Sequence, residues 1–133
     1  MNEGAAQRLF VYGTLRPGEV RWHHLERFVD GAGVDATVAG ELYDTGLDYP
    51  AAMFRGDAPI RGRVYALRDE LVDDALAHLD RVEGAVRGLY RRVEVATSEG
   101  NAWAYECGDP SLLVTRIASG DWQARDAVDQ NGL

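Results

Sequence analysis

The chain has 133 residues, 46% of them hydrophobic, which suffices to bury one core and is too little for two ordinary domains. Its 14 basic residues are all Arg and face 22 Asp and Glu, and the resulting net charge of -8 disfavours nucleic acid and anionic membrane surfaces as partners. The lone Cys107 excludes an internal disulfide, and the lack of any CxxC or Cys/His array argues against a structural zinc site. One domain over 1–133 is expected, with 1–7 and 130–133 as tails. The polar, small N-terminal residues and the absence of a membrane-length apolar run predict an unexported, cytoplasmic protein. The use of Arg with no Lys reads as GC-rich coding and a bacterial source.

Leu9 to Tyr12 reads as a buried first strand, since four apolar or aromatic residues in succession stop at Gly13. Trp22, Leu25, Phe28 and Val29 recur at helical spacing, with Gly31 as the stop. From Val34 to Tyr43 a period of two puts Val34, Ala36, Val38, Gly40 and Leu42 on one face, which predicts a strand with one wet side. A turn over Gly46-Leu47-Asp48-Tyr49-Pro50 precedes a short strand from Ala51 to Phe54. Ile60, Gly62, Val64 and Ala66 then alternate with Arg61, Arg63 and Tyr65 as a further amphipathic strand. Asp69 to Val82 is the clearest helix, with acids in its first turn, apolar residues at Val72, Ala75, Leu76, Leu79 and Val82, and Gly84 just beyond. Leu89–Thr97 and Ala102–Cys107 read as a strand pair around Ser98-Glu99-Gly100-Asn101. Leu112 to Val114 is expected as a last short strand, and Asp121 to Val128 as a terminal helix. Strands outnumber helices and do not alternate with them one for one, which predicts an α+β domain whose sheet curls toward a barrel.

Two segments carry possible chemistry. Val11-Tyr12-Gly13-Thr14-Leu15-Arg16-Pro17-Gly18 runs from a strand into a loop without bulk at Gly13. Backbone that must approach a ligand uses Gly there, and the nearby N–H groups can then receive an anion. The same residues also serve simply to turn the chain. Further along, a helix continued through Asp80-Arg81-Val82-Glu83 places Glu83 four residues after Leu79 and seven after Leu76, on the apolar stripe. Partial burial and the negative helix end both oppose ionisation, moving this acid upward from its ordinary value of about 4.3, into the range that general acid–base catalysis uses. A helix that ends early instead leaves Glu83 in water near Arg81 or Arg87.

The remaining candidates are read as structural. His23 and His24 are adjacent and point apart, so they cannot chelate one metal together. Cys107 has no helix N-terminus to activate it and reads as a small hydrophobe. Ser98, Ser111 and Ser119 stand outside any GxSxG elbow. Arg87, Arg91 and Arg92 read as solvated charges, although any one has the fork geometry for a substrate carboxylate.

Tyr12-Gly13-Thr14-Leu15 followed by Arg16-Pro17-Gly18 resembles the substrate-binding loop of the gamma-glutamylcyclotransferase-like (AIG2-like) superfamily. Further matches follow in order: Tyr49-Pro50-Ala51, Gly62-x-Val64-Tyr65, Leu79-Asp80-x-x-Glu83-Gly84, Tyr90-Arg91-Arg92 and Ser119-Gly120-Asp121-Trp122. They span nearly the whole chain. The resemblance implies a small mixed β-barrel flanked by short helices, and an enzyme that cyclises a γ-glutamyl group to 5-oxoproline with release of an amine or amino acid. It implies Glu83 as catalytic acid/base, Tyr12, Gly13, Thr14 and Leu15 as the substrate-binding loop, and Tyr90 and Tyr49 beside the cavity. The substrate's own α-amine attacks its γ-carbonyl, so the nucleophile arrives tethered and neither cofactor nor metal is called for. Loop N–H groups then hold the substrate carboxylate or the developing oxyanion. The alternatives are a non-catalytic small-molecule or peptide-binding module that uses the same cavity, and a plain structural domain.

Overall fold

Leu9, Phe10 and Val11 are all buried because the first strand is covered on both faces. In the computed structural model, which describes residues 7–13, 22–84 and 88–124, the chain forms β1 (Arg8–Val11), β2 (Val29–Ala39), β3 (Glu41–Asp44), β4 (Pro50–Met53) and β5 (Pro59–Leu67). Helix α1 (Val72–Val82), β6 (Tyr90–Thr97), β7 (Gly100–Cys107) and β8 (Thr115–Arg116) follow. The order β1-β5-β2-β6-β7 closes into a barrel, with β7 parallel to β1 at Leu9 and Trp103 and the other pairings antiparallel. Strands β4, β3 and β8 make a second sheet in that order. The α+β, barrel-like expectation is thus met.

Two apolar clusters lie on opposite faces of β1. Leu9 and Val11 join Tyr65, Leu67, Tyr105 and the α1 residues Ala75, Leu76 and Leu79. Phe10 and Tyr12 join Ala36, Val38, Ile60, Val64, Ala102 and Ala104. The small residues are what let the bulky rings of β1 fit among the other strands.

Several local expectations need correcting. Trp22 to Val29 is not an α-helix: it forms two 3₁₀ turns, Trp22–His24 and Glu26–Phe28, and Val29 already belongs to β2. The bonds run from Leu25 N–H to Trp22 O and from Phe28 N–H to Leu25 O, both 2.9 Å. Trp22, Leu25 and Phe28 are three apart, the repeat of a 3₁₀ turn, so the spacing serves either helix type. The strand expected over Val34–Tyr43 starts earlier and divides at Gly40, with β2 in the barrel and β3 in the second sheet. Val34 is 47% exposed, beside a register shift between Asp30 and Val34. In β5 Val64 and Tyr65 are both buried, one in each apolar cluster, because both faces are covered at that level, while Ala66, expected on the inner face, is exposed. Leu112 to Val114 is not a strand. Pro110–Leu112 forms a 3₁₀ turn whose N-cap Asp109 accepts from the Ser111 N–H, and the short strand is β8 instead. Of the expected terminal helix, Trp122–Ala124 forms a 3₁₀ turn and the rest lies outside the described residues. The Gln7 carbonyl accepts from the Leu67 N–H at 2.7 Å.

Candidate active site

Strand β1 delivers Tyr12 and Gly13 to a place where the second sheet and β6 also arrive. Tyr12 is buried, and its hydroxyl donates a short hydrogen bond to the Tyr105 carbonyl on β7. The ring lies edge-on to Phe54 with centroids 6.1 Å apart. Gly13 presses against Pro50: a Cβ at Gly13 would stand 2.5 Å from Pro50 Cγ. Only a residue without a side chain permits that approach. The Pro50 carbonyl accepts from the Tyr90 hydroxyl at 2.7 Å, and the Tyr90 ring stands 6.2 Å from that of Tyr49.

Helix α1 brings the carboxylates. Glu83 follows the last helical residue with φ -84 and ψ -2, and its N–H still donates to Leu79 O at 2.8 Å, so the helical path carries through to it. Gly84, at φ 71, then turns the chain away. Glu83 is half-buried. One turn earlier, Asp80 ties the helix to the β6–β7 hairpin. Its Oδ1 accepts from the Tyr105 hydroxyl at 2.7 Å and from Arg92 Nε at 2.9 Å, and its Oδ2 from Arg92 Nη2 at 3.3 Å. Arg92 and Tyr105 are directly opposite each other in the hairpin, so a single carboxylate clamps both strands. The Arg92 guanidinium also lies over the Trp103 ring, 4.7 Å from its centroid.

Burial pushes the Tyr12 phenol well above its ordinary value, and the neighbouring Tyr90, Glu83 and Cys107 add to the shift. Tyr105 is raised by burial first, then by its bond to Asp80, with a further push from the charges of Asp80 and Glu83. Both phenols are therefore neutral in the folded chain at a pH where they ionise in the unfolded chain. Their contribution to stability is complete below the ordinary value of 10.0 and is lost as pH rises above it. Each phenol is expected to cost about 1.4 kcal/mol per pH unit in that range. Urea midpoints measured from about pH 9 to pH 11.5 should fall steeply, and Tyr12→Phe should make the fall shallower. A flat profile would mean that the phenols ionise freely in the fold.

Of the residues singled out in the sequence, Tyr12, Gly13, Tyr49 and Tyr90 thus come from distant segments into contact through Pro50, and Glu83 stands at the end of α1, the helix that packs against β1. Thr14, Leu15 and Arg87 lie outside the described residues. Asp80 and Tyr105 were missed as partners of the site. The available signal was Asp80, three residues before Glu83 and so on an adjoining face of the same helix. Arg92 is no solvated charge, since it is bound by Asp80, while Arg91 is exposed and pairs with Glu106 at 2.9 Å. Cys107 is buried, its thiol donates to the Asp109 carbonyl at 3.0 Å, and burial raises it above the ordinary thiol value. Among the described residues no three His, Cys, Asp or Glu side chains gather to hold a metal ion. No helix there is long and apolar enough to cross a membrane.

Known proteins resemble this chain in sequence and in fold. Residues 9–124 match the family described as "Gamma-glutamyl cyclotransferase, AIG2-like". A Vibrio cholerae protein named "Putative gamma-glutamylcyclotransferase" is 37% identical over 118 residues, covering 88% of this chain and 96% of its own. The Niallia circulans "Gamma-L-glutamyl-butirosin B gamma-glutamyl cyclotransferase" is 32% identical over 134 residues, covering 94% of this chain and 81% of its own. Among solved structures, the ytfP protein of Escherichia coli superposes with a TM-score of 0.65 at 33% identity, over 90% of this chain and 98% of that one. By its matched residues and by these relatives, the chain belongs to the AIG2-like gamma-glutamyl cyclotransferase family.

Proposed function

We propose that the chain cyclises the γ-glutamyl group of a small amine, amino acid or metabolite adduct to 5-oxoproline and releases the amine, with Glu83 as general acid/base. The observation that supports this most is the half-buried Glu83, carried by the helical path on from the α1 residues that pack against β1, while β1 leads directly into Tyr12 and the bulk-free Gly13. The substrate's free α-amine attacks its own γ-carbonyl and forms the new N–C bond of a five-membered ring. Glu83 takes the proton released by the attacking nitrogen and gives one to the departing nitrogen as the original amide bond breaks. One γ-glutamyl amide becomes one 5-oxoproline and one amine, with no water consumed. Tethering provides much of the rate, so one proton carrier and a few donors suffice.

In this reading, backbone N–H groups along Tyr12, Gly13, Thr14 and Leu15 receive the glutamyl carboxylate or the tetrahedral oxyanion. Tyr90, its hydroxyl engaged by Pro50, contributes its ring to the wall with Tyr49. We assign the reaction to a cytoplasm, where a lone thiol such as Cys107 stays reduced. The chain should be incubated with γ-glutamyl amines, γ-glutamyl amino acids and γ-glutamylated metabolites of the butirosin kind, and 5-oxoproline followed by mass spectrometry. Release from at least one class supports the reading. Saturable binding without any 5-oxoproline would assign the cavity to a binding module.

A further inference from the structure

A cleft of about 630 Å³ lies along the side of α1 away from Glu83, lined by Arg27, Phe28, Leu71, Asp74, Ala77, His78 and Arg81. Asp74, Ala77, His78 and Arg81 recur three, four and seven residues apart and form one stripe of the helix, away from Leu76, Leu79 and Glu83. Arg27 arrives from the 3₁₀ turn Glu26–Phe28, its guanidinium 4.4 Å from the centre of the Phe28 ring. Among the described residues neither Arg27 nor Arg81 has a carboxylate within ion-pair distance. In a chain of net charge -8, two such arginines converging on one cleft are not a sample of a generally basic surface.

The three histidines of the chain also meet here. His23 and His24 do not point apart as expected for adjacent helical residues: in the 3₁₀ turn their rings lie 4.0 Å apart at a tilt of 38°, and His24 Nδ1 lies 3.1 Å from His78 Nε2, one ring donating and the other accepting. His78 is held below its ordinary value by burial, then by Arg27, Arg81 and His23, while Asp74 lines the same cleft from one turn earlier. The two guanidiniums therefore oppose protonation of His78, and an anion bound between them would ease that opposition.

From this arrangement we infer that the cleft binds a small carboxylate carried on an apolar body, with Arg27 and Arg81 holding the carboxylate and the accessible side chains of Leu71 and Ala77 receiving the apolar part. Planar forks match a carboxylate bidentately, Leu71 and Ala77 offer apolar contact that a bare inorganic ion cannot use, and the Asp74 charge opposes a phosphate dianion more strongly than a carboxylate monoanion. The site is separate from the one assigned to cyclisation and stands or falls without it.

The imidazole C–H signals of the intact chain, followed by NMR, provide the test. Titration with 4-methylpentanoate should move the His78 signals saturably and raise the pH of its titration. The double variant Arg27→Ala/Arg81→Ala should bind at least about tenfold more weakly. Ala77→Glu, an exposed change that places a competing carboxylate in the cleft, should abolish binding while circular dichroism stays unchanged, and it decides the matter should the double variant misfold. The inference is overturned by an absence of saturation, by binding that survives these substitutions, by an equal response to sodium chloride at matched ionic strength, or by inorganic phosphate binding as tightly as 4-methylpentanoate.

Discussion

Glu83→Gln is expected to lower 5-oxoproline release by at least about 100-fold, the scale of a lost general acid/base, while the protein remains folded. The substitution keeps size and shape, and the backbone at position 83 is fixed by its N–H on Leu79 O and by the reversal at Gly84. Thermal midpoint and near-ultraviolet circular dichroism should thus match the parent. Gln can accept a hydrogen bond but cannot carry a proton from the attacking amine to the departing one. Glu83→Asp keeps the proton carrier and withdraws it by one methylene, so its activity should fall between the two. Turnover within about threefold of the parent in the Gln variant would remove Glu83 from the chemistry.

The largest structural effect is expected from Gly62→Ala. A methyl at this β5 position would stand 2.2 Å from the Val11 carbonyl oxygen and 2.7 Å from the Phe10 ring. A backbone oxygen cannot swing aside as a side chain can, so β1 would have to leave its pairing with β5. Overpacking of this kind costs about 3 kcal/mol, or roughly 10 °C of thermal midpoint for a chain of this length. Val11 leads straight into Tyr12 and Gly13, so any folded remainder should also bind γ-glutamyl compounds poorly. A midpoint within about 2 °C of the parent would show that β1 tolerates the added methyl.

Where one physical signal dominated, the sequence was easily read. Helix α1 carries both an apolar stripe and a Gly stop, and β6 and β7 flank a short turn, so each declares itself locally. The two 3₁₀ turns before β2 did not, because residues spaced by three satisfy an α-helix and a 3₁₀ turn alike. Gly40 hides the division of β2 from β3, since alternation continues across it while the chain passes from one sheet to another. In the site, Glu83 and the Tyr12-Gly13 bend were legible as a motif. The Asp80 clamp was not, because its partners Arg92 and Tyr105 become neighbours only once the hairpin has folded against the helix.

The barrel seam joins the first strand to one that comes much later, and Tyr12 bonds across it to a residue 93 positions away. On the ribosome, then, the opening segment has no β7 to rest on until most of the chain has emerged. Its β5 edge can pair earlier, but its β7 edge must wait open, and closure should be slow, as for other topologies rich in distant contacts. A nascent chain halted before Gly100 is expected to be more protease-sensitive in its first strand than the finished protein, with full protection arriving only after the closing hairpin is made.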